Sequence, residues 1–440
     1  MVKDALGLAL SGADEAAADH YQRGVSELQR FVGDPVGSAD KAIAAAPDFV
    51  MAHVLKGWLY GLSTEREAMA VARDCHAAAL GLAATAREKA HVAALGRLAT
   101  GHWHEAGRIL EELTSEHPTD ALALQAGHQI DFFTGNAPKL RDRIGRALPA
   151  WSKGMPGYHA ILGMQAFGFE EMGDYAAAEA LGREAVALEP RDGWAQHAVA
   201  HVMEMQSRQR DGIAWMRGNS DAWTKESFLQ VHNWWHLALF YYDLGETDEV
   251  LALYDEPIYG AQSKLALNMV DASAILWRLH LGGIDVGRRW VSLAANWAPK
   301  AVAGNYAFND AHAMMAFVGA GVEAPAKAML DAQREAIAGD DDNATFTRDV
   351  GHPVTLAIKA FGEGRYYETV RLLEPVRAIA HRFGGSHAQR DVIELTLIEA
   401  ALRDGNDALA VKLASARNHA RPASPLSGLF VQRAALLAHG

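Results

Sequence analysis

Apolar residues recur at i, i+3, i+4 and i+7 in block after block of the chain, as in YAAAEALGREAVALEP (175–190). That period lines one face of an α-helix with apolar side chains. No Asn-Gly or Asp-Gly turn separates two alternating apolar segments, so the pattern predicts almost no strand. Gly, Pro or Asp clusters interrupt the blocks every ~12–20 residues, as between antiparallel helix pairs.

The blocks repeat. Pro47, Pro118 and Pro190 each close a helical block, and Ala52, Ala123 and Ala195 follow them at the same offset. Their spacing of about 72 residues is two units of ~36, close to the tetratricopeptide period. Turn glycines recur in MGDYAAAEALGREAVALEP, LGETDEVLALYDEP, GEGRYYETVRLLEP and DGNDALAVKLA. The expected fold class is all-α: an α-solenoid of about twelve tetratricopeptide-like helix pairs, curved into a superhelix. Residues 1–440 read as one such domain, with plain repeats over 1–190 and a polar lumen over 191–405. The acidic run from Gly339 to Asn343 reads as a loop.

Composition narrows the function classes. Of 440 residues 41 are basic and 54 acidic, giving a net charge of −13. That balance, with basic residues scattered rather than striped, predicts no nucleic-acid partner and no anionic membrane surface. There is no apolar run long enough for a membrane span, and the N-terminus lacks a signal-peptide pattern. Cys75 is the sole cysteine, so neither a disulfide nor a cysteine-based zinc site can form within the chain. The expected location is cytoplasmic.

The turn glycines set a register for the first helix of each pair, and unusual polar residues fall at similar height in successive pairs. His232, Trp234, Trp235 and His236 precede Gly245, and Asp271 precedes Gly283. Asn309, Asp310 and His312 precede Gly321, and His352 precedes Gly364. His387, Arg390 and Asp391 precede Gly405, and the block before the series carries His197, His201 and Glu204. In a curved stack such positions converge on one groove. His197 and His201 at i, i+4, with Glu204 three further on, form a candidate site for a divalent metal such as zinc. His232 and His236 repeat the i, i+4 spacing and suit either acid–base catalysis or ligation.

Each residue also has a structural reading. His201 falls near a small-residue packing position. Trp234 and Trp235 suit packing, and His312 suits a bridge between helices. Asp271 and Asp391 sit near helix starts, where aspartate is favoured. Arg390 and Asp391 could form an ion pair, and Ser386 reads as an N-cap. His91, His128 and His159 lack the register and read as surface or core. No P-loop, GxGxxG after a strand, HExxH or GxSxG occurs.

Residues 197–320 resemble the tetratricopeptide repeat protein 38 family. The resemblance rests on HAVAHVMEMQ (197–206), HNWWHLAL (232–239), Tyr254-Asp255, DASAILWRL (271–279), GRRW (287–290) and FNDAHAMM (308–315). It implies an all-helical repeat fold and carries no reaction with it.

The expectation from these residues is a small-molecule hydrolase or lyase using acid–base chemistry, in one form assisted by a metal. His232, His236, Asp310, His312 and His387 are its candidate acid–base or ligating groups. Asp271 and Asp391 would orient imidazoles. Arg390 and Asn309 would hold the substrate, and Trp234 and Trp235 would wall it. The rival expectation is a scaffold that grips a peptide. A third is a homodimer in which a neighbour's helix fills the groove.

Overall fold

A computed structural model of the chain describes residues 2–301 and 304–439. Helices pack on their neighbours in sequence order almost throughout, with two-residue strands at Val2–Lys3 and Ala9–Leu10 as an antiparallel pair. This is an all-α solenoid in which each helix buries its stripe against adjacent helices. None of the described helices is long and apolar enough to cross a membrane.

The turn glycines mark the bends inside the pairs. Gly173, Gly245, Gly283, Gly364 and Gly405 all have φ between 74° and 81°, the left-handed region that glycine enters without steric cost. Each lies between the two helices of a pair, as Gly405 does between His387–Arg403 and Asp407–Ala420.

Two compact units divide the chain. The first holds 1–199 and 219–230. Its repeat has a specific chemistry. Asp120 caps the helix Ala121–Phe133 by accepting from the Ala123 N–H, and Asp192 accepts from Ala195 N–H in the same way. Each aspartate also receives an imidazole from a preceding helix: His91 at 3.0 Å on Asp120, and His159 at 2.7 Å on Asp192. Arg87 joins Asp120 at 2.6 Å. These histidines therefore tie one pair to the next. At the earlier position Phe49 stands where the aspartate would be, and that helix starts without a side-chain cap.

The second unit holds 200–218 and 231–440. Here the first helices of the pairs form the inner layer. The helix Ala266–Leu281 packs against Ala307–Ala320 and also against His387–Arg403. The latter contact is stitched by three hydrogen bonds: Trp277 Nε1 to Thr396 Oγ1 (3.0 Å), Arg278 to the Ala388 carbonyl (2.7 Å) and Arg403 to the Leu281 carbonyl (2.9 Å). Helices far apart in sequence, Trp277 and Thr396 being 119 residues apart, thus meet directly where the repeat pattern predicts an open groove. Small residues permit close approach: a Cβ on Gly362 would lie 2.2 Å from Val318 Cγ1.

The acidic run is not merely a loop. Asp341 accepts from the Ala344 N–H and starts the helix Asp342–Phe346. Clustered aspartates favour a helix N-terminus as readily as a turn.

Candidate metal and acid–base site

Within the second unit, four helices bring the central polar residues together. The helix Gly193–Met205 carries His201 and Glu204, and Gln230–Asp243 carries His232, Trp235 and His236. Asp271 and Arg278 come from Ala266–Leu281, two turns apart on one face. Asp391 comes from His387–Arg403.

The side chains form a continuous series. Asp271 Oδ2 lies 2.9 Å from His232 Nδ1. His232 Nε2 faces His236 Nε2 at 3.3 Å. His236 Nδ1 lies 3.3 Å from Glu204 Oε2. Glu204 then approaches Arg421 at 3.8 Å. The His201 ring stacks obliquely on His236, with centroids 4.4 Å apart. Trp235 is fully buried, parallel to the His232 ring at 5.4 Å and edge-on to His236 at 4.9 Å. Arg278 lies over this indole, 5.4 Å from its centroid.

Burial drives the electrostatics. It pushes the His236 imidazole well below its ordinary range, and the neighbouring His201, His232 and Arg278 add to the effect. Burial pushes the Glu204 carboxyl up, with Arg421 opposing. His236 is therefore neutral at pH 7 and Glu204 holds a proton more readily than a free carboxyl. His232 is the most open member of the series, its side chain 14% exposed against 0% for His236.

This arrangement could hold a metal ion. Ligand atoms of His201, His232 and His236 lie within 4.8 Å of one another. Two of these imidazoles turn their Nδ1 atoms to carboxylates, the outer contact that fixes ligating histidines in metal sites. Bonds of about 2.0–2.1 Å to a tetrahedral zinc would place two ligand nitrogens ~3.3 Å apart.

The sequence-based candidates sort into several groups. His197 lies one turn before His201, its ring packed on Trp194 and Phe167 in the first unit. Glu204, expected to ligate beside His197 and His201, instead hydrogen-bonds His236. Trp235 walls the imidazoles, whereas Trp234 is half-buried.

Asp391 does not orient an imidazole. Both its oxygens are held by Arg417, at 2.5 and 3.0 Å, with Arg421 at 4.0 Å. Burial alone would raise this carboxyl, but Arg417 and Arg421 outweigh it and hold it well below the usual range. Arg390 turns back to the Gly385 carbonyl and to His387 Nδ1 at the start of its helix, where Ser386 and Gln389 form a capping box.

Asp310 joins a second group. Gln333 Nε2 donates to Asp310 Oδ2 at 3.4 Å and to Thr355 Oγ1 at 2.9 Å, while its Oε1 faces His352 Nδ1 at 2.9 Å. Burial pushes the Asp310 carboxyl up to about 7. His312 bonds the Phe308 carbonyl of its own helix at 2.8 Å, and burial lowers its imidazole to about 4. Asn309 is buried beside them.

Arg278, Arg417, Arg421 and Tyr242 were not singled out by sequence. They line a polar hollow of about 20 Å³ with Glu204, Asp243 and Asp391, space for roughly one water. Arg278 lies in an apolar helix seven residues after Asp271, a spacing that returns to the same face. Arg417 and Arg421 sit one turn apart, around the end of the second helix of their pair, outside the first-helix register. No protein-family model matches the sequence.

Proposed function

We propose that this protein is a small-molecule hydrolase or lyase centred on His201, His232 and His236, acting with a divalent metal such as zinc. The observation that carries the reading is the pair of Nε2 atoms 3.3 Å apart, each ring held from behind by a carboxylate. Such a pair could share a cation. With Asp271 accepting from His232 Nδ1–H, the His232 Nε2 presents a lone pair. When Glu204 is ionised it accepts from His236 Nδ1–H, and the second Nε2 presents a lone pair as well. A proton or a metal then has to sit between them.

When bound, a metal would supply a water acidic enough to deprotonate near neutral pH. The chain's own groups do the rest. His201, His232 and His236 ligate in neutral form, which burial already enforces at His236. Asp271 and Glu204 orient the rings. In hydrolysis, a base takes a proton from water, the oxygen bonds to the electrophilic carbon, and the proton passes to the leaving group. Glu204 stays behind the His236 ring, on its Nδ1 side, so its part is to orient that ring.

A peptide-gripping scaffold has less support, because Ala266–Leu281 and His387–Arg403 are bonded to each other across the inner layer. The test is an activity screen of small esters, amides and carbon–oxygen lyase substrates with zinc, manganese or chelator. Turnover that needs metal and disappears in His232→Ala supports the reading. Turnover equal in chelator, or unaffected by that substitution, overturns it.

A further inference from the structure

A second hollow in the same unit has the size and charge of a small-ligand site. It measures about 400 Å³, within the usual range for small-molecule pockets. The end of Ala266–Leu281, the helix His387–Arg403 and the final helix Pro425–His439 line it, and one side is open to solvent. Leu395 and Phe430 form a buried apolar wall, and Leu429 lines it while remaining 48% exposed.

The polar side of the hollow carries Glu399 between two arginines. Arg433 grips both its oxygens, at 2.7 and 2.9 Å, and Arg403 Nε reaches it at 2.7 Å. Two guanidinium groups against one carboxylate leave one positive charge over. Arg403 is also committed to the Leu281 carbonyl. Arg433 is more open, its side chain 37% exposed. The surplus charge of the Arg403–Glu399–Arg433 group thus stands at the edge of an apolar slot.

We infer that this hollow binds a small amphipathic monoanion, a carboxylate with an unbranched or compact apolar body. The body would lie on Leu395, Leu429 and Phe430, removing Leu429 from water, and the carboxylate would meet Arg433. An uncharged molecule of the same length leaves the surplus charge unmatched, and a cation is repelled by it. The inference is independent of a metal at the imidazoles.

Isothermal titration with octanoate, octan-1-ol and octylammonium tests it, on the chain as purified and after chelator treatment. Octanoate should bind saturably at one site, at least about tenfold more tightly than either analogue, with or without metal. Arg433→Gln should weaken octanoate by about tenfold, as loss of a charge-assisted contact does. Leu429→Glu, at a position already half in water, should abolish binding while the helical circular dichroism stays intact. No saturable octanoate binding up to about 10 mM overturns the inference, as does octan-1-ol binding equally well. Octanoate binding unchanged in both variants overturns it too. So does a homodimer that Leu429→Glu disperses, because the hollow would then be a subunit contact.

Discussion

The Nε2 atoms of His232 and His236 face each other across 3.3 Å, one helical turn apart on the same helix. Their Nδ1 atoms point in different directions, to Asp271 and to Glu204. One set of proton positions satisfies all four groups without a metal. Asp271 accepts from His232, His236 Nε2–H donates to His232, and a protonated Glu204 donates to His236 Nδ1. Burial of Glu204 favours that proton. A metal on both Nε2 atoms displaces the proton between them.

Metal binding should therefore release about one proton per chain near pH 7. Titrating zinc into the metal-free protein in buffers of different ionisation enthalpy measures this directly. Release of none would mean that both Nε2 atoms are already free of protons.

Asp271 acts through His232, so its removal should weaken the site without dismantling it. Asp271→Asn should lower zinc affinity by about 10–100-fold, the usual cost of losing an outer-shell carboxylate. Competition against a chromogenic chelator gives the affinity, and circular dichroism verifies the fold. The same substitution at Asp391 has a different expected outcome: that carboxylate pairs with Arg417, so its loss should register in stability.

Much of this arrangement is legible in the chain. The helix pairs follow from the apolar period, and the turn glycines mark their bends. The register they set brings His201, Glu204, His232, His236 and Asp271 into one group. Two things escape it. A repeat register describes neighbours, whereas Trp277 meets Thr396 across 119 residues. That long-range closure partly fills the groove and draws in Arg278. Second helices of pairs also contribute, so Arg417 captures Asp391 from outside the first-helix series. Asp310 shares the register but finds Gln333 one helix away. Height along the stack does not by itself fix which neighbour a side chain meets.

Asp310 carries a pH signature separate from the imidazoles. Its carboxyl titrates near 7 in the fold against 3.8 as its ordinary value. Between those values the folded state binds the extra proton, so its contribution to stability is lost as pH rises through about 7. Asp310→Asn should flatten this slope and make the protein more stable than its parent at pH 8, by a few kcal/mol, with little difference below about pH 4. Urea unfolding at acid and alkaline pH checks both the slope and its sign.

The central claim is that His201, His232 and His236 form one metal-binding centre. Metal analysis of untagged protein, reconstituted with zinc and then desalted, tests it most directly beside His232→Ala and His236→Ala. The account predicts about one zinc per unaltered chain, and a loss of most of it in both folded variants. A folded parent that retains no metal after zinc, manganese and iron have each been offered contradicts it, as do variants that retain as much metal as the parent.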